Sequence, residues 1–101
     1  MRVTFIGGGS GDGGSPRLWQ PDDQQRIVIQ GYRTGEDACV EIPHELLGLA
    51  VPGTRFPVFE DTGHGTYLVR GDLVDDAEAL EIMNIPDHEA AVEIALVQGV
   101  R

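Results

Sequence analysis

The chain contains no lysine; all seven of its basic residues are arginine. That excludes a Schiff-base lysine, a Walker-type phosphate lysine and any polybasic nucleic-acid patch. Cys39 is the single cysteine, so no internal disulfide can form. The only serines, Ser10 and Ser15, lie in a glycine run, and neither has the G-x-S-x-G frame that strains a nucleophile at a strand–helix turn. The histidines, His44, His64 and His88, are 20 and 24 residues apart, and no C-x-x-C, H-E-x-x-H or EF-hand loop is present. His44-Glu45-Leu46-Leu47-Gly48 stops short of a second histidine. Neither a metal nor a cofactor is expected. No apolar run approaches the ~18 residues of a membrane span. The apolar stretch in Met1–Ile6 is too short for a signal peptide, and a cytoplasmic location is expected.

What the chain has in excess is acid. Seventeen Asp and Glu against seven Arg give a net charge of -10 over 101 residues. Residues 16–50 carry three Arg against six acids, and residues 55–101 carry three against ten. Phosphate backbones repel such a surface, so direct DNA or RNA binding is not expected. The acidity has two readings: a solvated surface that keeps the protein dispersed, and a docking surface for a basic partner. The length allows a single domain, 1–101, that buries about 60–70% of its unfolded surface. The 41% hydrophobic and 24% charged composition suits a folded chain.

The sequence repeats itself. Pro16-Arg17-Leu18-Trp19 and then Arg26-Ile27-Val28-Ile29-Gln30-Gly31 match Pro57-Val58-Phe59 and then Thr66-Tyr67-Leu68-Val69-Arg70-Gly71. The Pro-to-Gly distances are 15 and 14. Downstream, Ala38-Cys39-Val40-Glu41-Ile42 matches Ala90-Ala91-Val92-Glu93-Ile94, after an insertion in the second copy around Asp72–Asp87. In each copy Pro and the aromatic begin a strand, a polar turn follows (residues 20–25 or 60–65), and an apolar triplet makes the second strand of a hairpin. Val40 and Ile42, like Val92 and Ile94, face one side with a Glu opposite, as in a half-buried strand.

The insertion reads as a helix: Asp75 or Asp76 caps it, Ala77–Met83 form it, Leu80 and Met83 make its apolar stripe, and Pro86 lies beyond its end. Asp75, Asp76, Glu78 and Glu81 form its solvated face. A second short helix starts with Pro43 at its first position and ends at Gly48 or Gly53. Residues 87–97 suit either a helix or a strand, and the match to 38–42 favours a strand at 90–96. Val3–Ile6 reads as an edge strand or a loosely ordered end, and residues 7–15 as a flexible loop.

Other motifs have ordinary readings beside their chemical ones. Gly9-x-Gly11-x-x-Gly14 matches the dinucleotide fingerprint, but Pro16 and Pro21 stand where a helix would have to open. Cys39 with His44 could form a nucleophile–base pair, yet the repeat matches Cys39 to Ala91, as for a small core residue. Trp19 and Phe59 fall at equivalent repeat positions and are expected in the core. Tyr32 matches Asp72, so the repeat demands nothing apolar there; Tyr32 with Arg33 is a candidate contact pair.

Ser15-Pro16-x-x-Trp19, Ile27–Arg33, Gly65–Gly71, Asp76–Leu80 and Ile85–Glu89 followed by Val92-Glu93-Ile94 give a combination that resembles small acidic proteins of Streptomyces and related actinobacteria. Phe5-Ile6-Gly7 and the glycine run also fit. Members of that group have no established activity, and some are encoded near helix-turn-helix regulators. The resemblance implies a regulatory or protein-binding role and supplies no catalytic residues. The first unit departs from the group in lacking the helical insertion, and the second in lacking a Pro-containing tail after Ile94.

The expected architecture is α+β, with pseudo-duplicated ββ(α)β units in units 16–50 and 55–101 forming an antiparallel sheet or small sandwich with one or two short helices. The leading functional expectation is a non-enzymatic acidic interaction module, regulatory in role, with a basic protein partner and Tyr32, Arg33, Asp75, Asp76, Glu78 and Glu81 as contacts. Homodimerisation through an exposed sheet edge is a further expectation. The alternatives are a nucleic-acid mimic that blocks a DNA-binding regulator, and a small enzyme or ligand binder with a pocket between the units.

Overall fold

In the computed structural model, which describes residues 1–9 and 15–97, the elements run in the order β1 (Thr4–Gly8), β2 (Arg17–Gln20), β3 (Arg26–Arg33), β4 (Cys39–Pro43), a 3₁₀ helix (His44–Leu49), β5 (Glu60–Asp61), β6 (Thr66–Arg70), β7 (Asp72–Leu73), α1 (Ala77–Met83) and β8 (Glu89–Ala95). All the strand pairs among the described residues are antiparallel, so the fold is a mostly antiparallel sheet with two short helices and broadly α+β. β3 pairs with β2, β4 and β8; β4 pairs with β6; β8 pairs with β7. Only Gly71 separates β6 from β7, so the ladder β3–β8–β7 meets the ladder β3–β4–β6 and the sheet closes on itself.

Period-two alternation sorts the side chains onto two faces. Ile27, Ile29, Val40, Ile42, Val69, Val92 and Ile94 fill the interior with Leu18 and Leu46. The register places Ile29 opposite Val92, Ile27 opposite Ile94 and Val40 opposite Val69. Burial of each such aliphatic side chain contributes about 1.5–3 kcal/mol. On the outer face Trp19, Val28 and Ala91 meet Ala79 and Met83 of α1 and Val3.

Two glycines are required by close approach. A Cβ on Gly31 would lie 2.7 Å from Ile42 Cγ2 and 2.8 Å from the Glu41 carbonyl oxygen. On Gly71 it would lie 2.7 Å from both Ile94 Cγ2 and the Glu93 carbonyl oxygen. At Gly31 the strand passes from one neighbour to the next: Arg17–Leu18–Trp19 pair with residues before it and Val40–Glu41 with residues after it; on either side of Gly71, β6 pairs with β4 and β7 with β8.

The helix over 77–83 forms as expected. Asp76 is the cap, its carboxylate accepting from the Ala79 N–H at 3.0 Å, and Asn84 ends it in the left-handed region at φ 49°. Its buried stripe differs from the expectation: Ala79 and Met83 face the sheet, four residues apart, while Leu80 is turned towards solvent. Pro43 ends β4 and caps the 3₁₀ helix rather than occupying its first helical position. β1 is an ordered strand paired with β2, and residues 89–95 form a strand. Of the glycine run, residues 10–14 lie outside the described residues.

The second hairpin corrects two expectations. Pro57-Val58-Phe59 precede the strand, which begins at Glu60, so the turn is shorter than residues 60–65. Trp19 and Phe59 do not occupy equivalent surroundings. Trp19 lies opposite Val28, whereas Glu60, not Phe59, lies opposite Leu68. The second hairpin is one residue shorter, and a one-residue slip turns a side chain to the other face. Phe59 therefore packs against the interior with Phe56 and Tyr67, while Trp19 lies on the outer face with Phe5 edge-on at 5.5 Å. Among the described residues no helix is long and apolar enough to cross a membrane.

Candidate partner-binding site

Gln30 and Glu89 are the buried polar side chains of the described residues, at 1% and 0% exposure. Pairing of Gln30 with Ala91 and of Tyr32 with Glu89 places both on the outer face beside Trp19. The Trp19 indole N–H donates to Gln30 Oε1 at 3.0 Å, and Gln30 Nε2 donates to Glu89 Oε1 at 2.6 Å. Gln30 thus satisfies an indole donor and a carboxylate acceptor at once. Glu89 Oε2 is buried without a hydrogen-bond partner. His88 Nε2 stands 3.8 Å from it, and the His88 ring stacks on Tyr32 at 6.2 Å. An unpaired buried acceptor costs about 1–3 kcal/mol, and more when charged.

Glu89 also lines a groove of about 330 Å³ between α1, β7, β8 and the segment that joins α1 to β8. Leu73, Val74, Leu80 and Ile85 give it apolar walls, and Asp75 and Asp87 stand at its sides. Arg33 lies at the same groove, where its Nε donates to the Asp87 carbonyl oxygen at 2.8 Å. Leu73 is 51% and Leu80 38% exposed, so apolar surface faces water beside carboxylates.

The structure separates the six candidate contact residues. Arg33 and Asp75 share the groove, and Tyr32 adjoins it through His88. Glu81 is exposed on α1. Asp76 and Glu78 are engaged elsewhere: the Met1 amino group lies 2.8 Å from Asp76 Oδ2 and 3.1 Å from Glu78 Oε1. That ammonium, followed by the Ala79 N–H, holds the Asp76 carboxyl below its usual range. Asp76, followed by Glu78, in turn raises the Met1 amine. Sequence reading missed Glu89, Gln30, Leu73 and Asp87. The available signal was Gln30, a lone polar residue closing an apolar triplet.

The opposite outer face has a different character. Arg70 Nε binds Glu36 at 2.6 Å and its Nη1 binds Glu60 at 2.8 Å; these exposed ion pairs lower the Glu36 carboxyl and raise the Arg70 guanidinium. Arg26 bridges Glu93 at 2.9 Å and Asp72 at 2.8 Å. A cleft of about 460 Å³ between the second hairpin and β8 is where a pocket between units would lie, and there Arg26 and Arg70 are engaged by the chain's own carboxylates. Cys39 is buried, and His44 turns to Thr66 and Asp61, with its Nε2 at 3.2 Å from each. Among the described residues no group of three His, Cys, Asp or Glu could hold a metal ion. No family model matches the chain, and no curated protein or solved structure matches it either.

Proposed function

We propose that this protein is a non-enzymatic, regulatory interaction module that docks a basic segment of a protein partner on the acidic face around α1. The observation that carries the reading is the mixture on that face. Exposed Leu73 and Leu80 line the groove with Asp75 and Asp87, and Glu81 is exposed on α1; none of these three carboxylates has an ion-pair partner among the described residues. Apolar area supplies affinity, and the uncompensated carboxylates supply steering and choice of a cationic partner. Tyr32 and Arg33 border the same face and are the neutral and cationic parts of its rim.

The test uses an arginine-rich amphipathic peptide titrated calorimetrically at low and at physiological salt. Replacement of Asp75→Asn, Glu81→Gln and Asp87→Asn together is expected to weaken binding about tenfold or more, with a shallower salt dependence. Unchanged affinity in that triple variant overturns the reading.

The fold proposal that accompanies it is a pair of ββ(α)β copies sharing one interior. Its support is a set of matched relations. Ile29 pairs with Val92 as Val69 pairs with Val40. Tyr32–Glu41 and Arg33–Val40 have counterparts in Asp72–Glu93 and Leu73–Val92. Gly31 abuts Glu41 and Ile42 as Gly71 abuts Glu93 and Ile94. On this reading Trp19 and Gln30, covered by α1, correspond to the bare Glu60 and Arg70, while Glu89 aligns with Asp37 and not with the Glu36 that binds Arg70. An experimental structure in which no rotation superposes residues 26–33 and 39–43 on 66–73 and 91–95 removes the proposal.

A further inference from the structure

A buried carboxylate with one oxygen bonded and the other empty calls for a donor. Gln30 fills Oε1 of Glu89, and neither Gln30 nor any other described residue bonds Oε2. The charged and titratable groups around this carboxylate are His88 beside it, Tyr32 and Arg33 on β3, Asp75 before α1 and Asp87 before β8. Arg33 does not reach it, because its Nε is held by the Asp87 carbonyl oxygen. Asp75, Asp87 and Glu89 therefore leave the groove with an excess of negative charge, while its walls are aliphatic. Its volume of about 330 Å³ is at the lower end of the range of small-ligand sites, about 300–1,000 Å³. That suits one inserted side chain rather than a broad surface.

We infer that the groove receives an arginine side chain of the partner, its guanidinium at Glu89 Oε2 and its methylene stem along Leu73 and Leu80. This rests on the docking reading above and names the anchor within it. Arginine fits better than lysine because its weakly hydrated, permanently charged head tolerates removal from water and keeps donors to spare for the groove's other acceptors. The approach requires movement of His88. Its side chain is 58% exposed and its Nε2 stands 3.8 Å from Oε2, so the incoming guanidinium takes the place of that ring nitrogen. The occupied state links into the interior through Gln30 to the Trp19 indole, which makes that N–H a reporter.

The experiment titrates n-butylguanidinium chloride into isotope-labelled protein at constant ionic strength and follows the amide and indole resonances. Saturable shifts are expected at Leu73, Leu80, Ala90 and the Trp19 indole N–H, with a dissociation constant of about 1–10 mM. The neutral isostere n-butylurea is expected to bind at least tenfold more weakly. Glu89→Gln, which preserves the bond to Gln30 and the shape of the side chain, is expected to reduce guanidinium binding at least tenfold. Equal binding of n-butylurea to the unaltered protein, shifts that map away from the groove, or full binding in Glu89→Gln each overturn the inference. The n-butylurea comparison decides the matter even if the variant is poorly folded. If the arginine-rich peptide still loses affinity in the Asp75, Glu81, Asp87 variant while n-butylguanidinium does not bind, the docking reading stands and the anchor falls. If n-butylguanidinium binds as described and the peptide is insensitive to that variant, the anchor stands and the broader acidic face falls.

Discussion

Gln30 holds together two groups that would otherwise be stranded, the Trp19 indole N–H and the Glu89 carboxylate. Gln30→Leu retains the bulk but leaves both unpaired, and each unsatisfied buried group costs about 1–3 kcal/mol. Urea denaturation of Gln30→Leu is therefore expected to show a loss of about 3 kcal/mol, whereas Glu89→Gln, which keeps the Gln30 bond and removes the unpaired buried charge, is expected to show no comparable loss. The glycines at the strand crossings give a second residue-level expectation. Gly31→Ala and Gly71→Ala each force a Cβ against a carbonyl oxygen and an isoleucine methyl, and each should cost about 1–3 kcal/mol. Gly48→Ala, with nothing within 4 Å of the new Cβ, is the neutral comparison. Losses of the same size at 31 and 71 would fit the two-copy proposal, and a loss at one alone would speak against it.

At the scale of elements, α1 is only seven residues long and depends on its ends and on the packing of Ala79 and Met83. Asp76→Ala removes the acceptor for the Ala79 N–H and is expected to lower the thermal midpoint. Asp76→Ser, which can still cap, should recover part of the loss. A midpoint unchanged by the alanine variant would show that packing alone holds the helix. This element was legible in the sequence because its signals are local: a capping aspartate, a run of helix formers and a proline beyond the end. The strands around Ile27–Ile29 and Val92–Ile94 were legible for the same reason, their alternation being carried by adjacent residues. The displaced second hairpin was not, since the registers of Glu60 and Phe59 depend on a one-residue difference in connection length that composition does not reveal. The groove was partly legible: Arg33 and Asp75 were found as exposed polar residues. Glu89 was not, because nothing nearby in sequence marks a glutamate at the start of a strand as buried beside Gln30. The orientation of Leu80 likewise depends on where α1 crosses the sheet.

For the whole molecule, charge sets the response to pH. Asp61, Glu36 and Asp76 are all held below their usual range. The Gly63 N–H is the first cause for Asp61, Arg70 for Glu36 and the Met1 ammonium for Asp76. A carboxylate depressed on folding binds its proton more readily when unfolded, so its stabilisation is present above the unfolded pKa and disappears as pH falls through the folded one. Against this, protonation of the other acids relieves the self-repulsion of a chain with net charge -10. The urea midpoint is expected to hold or rise slightly from pH 7 to about 5 and then to fall below about pH 4. A midpoint that keeps rising to pH 3 would show that relief of repulsion outweighs the three depressed carboxylates.

The pairing of β3 with β8 also governs when the molecule can form. It joins Arg26 to Ala95 at one end and Tyr32 to Glu89 at the other, between 57 and 69 positions apart along the chain. Contacts at that separation form slowly, and here they cannot begin until nearly the whole described chain has left the ribosome. Until then β2, β3 and β4 emerge with an apolar side that only β8 and β6 can fill.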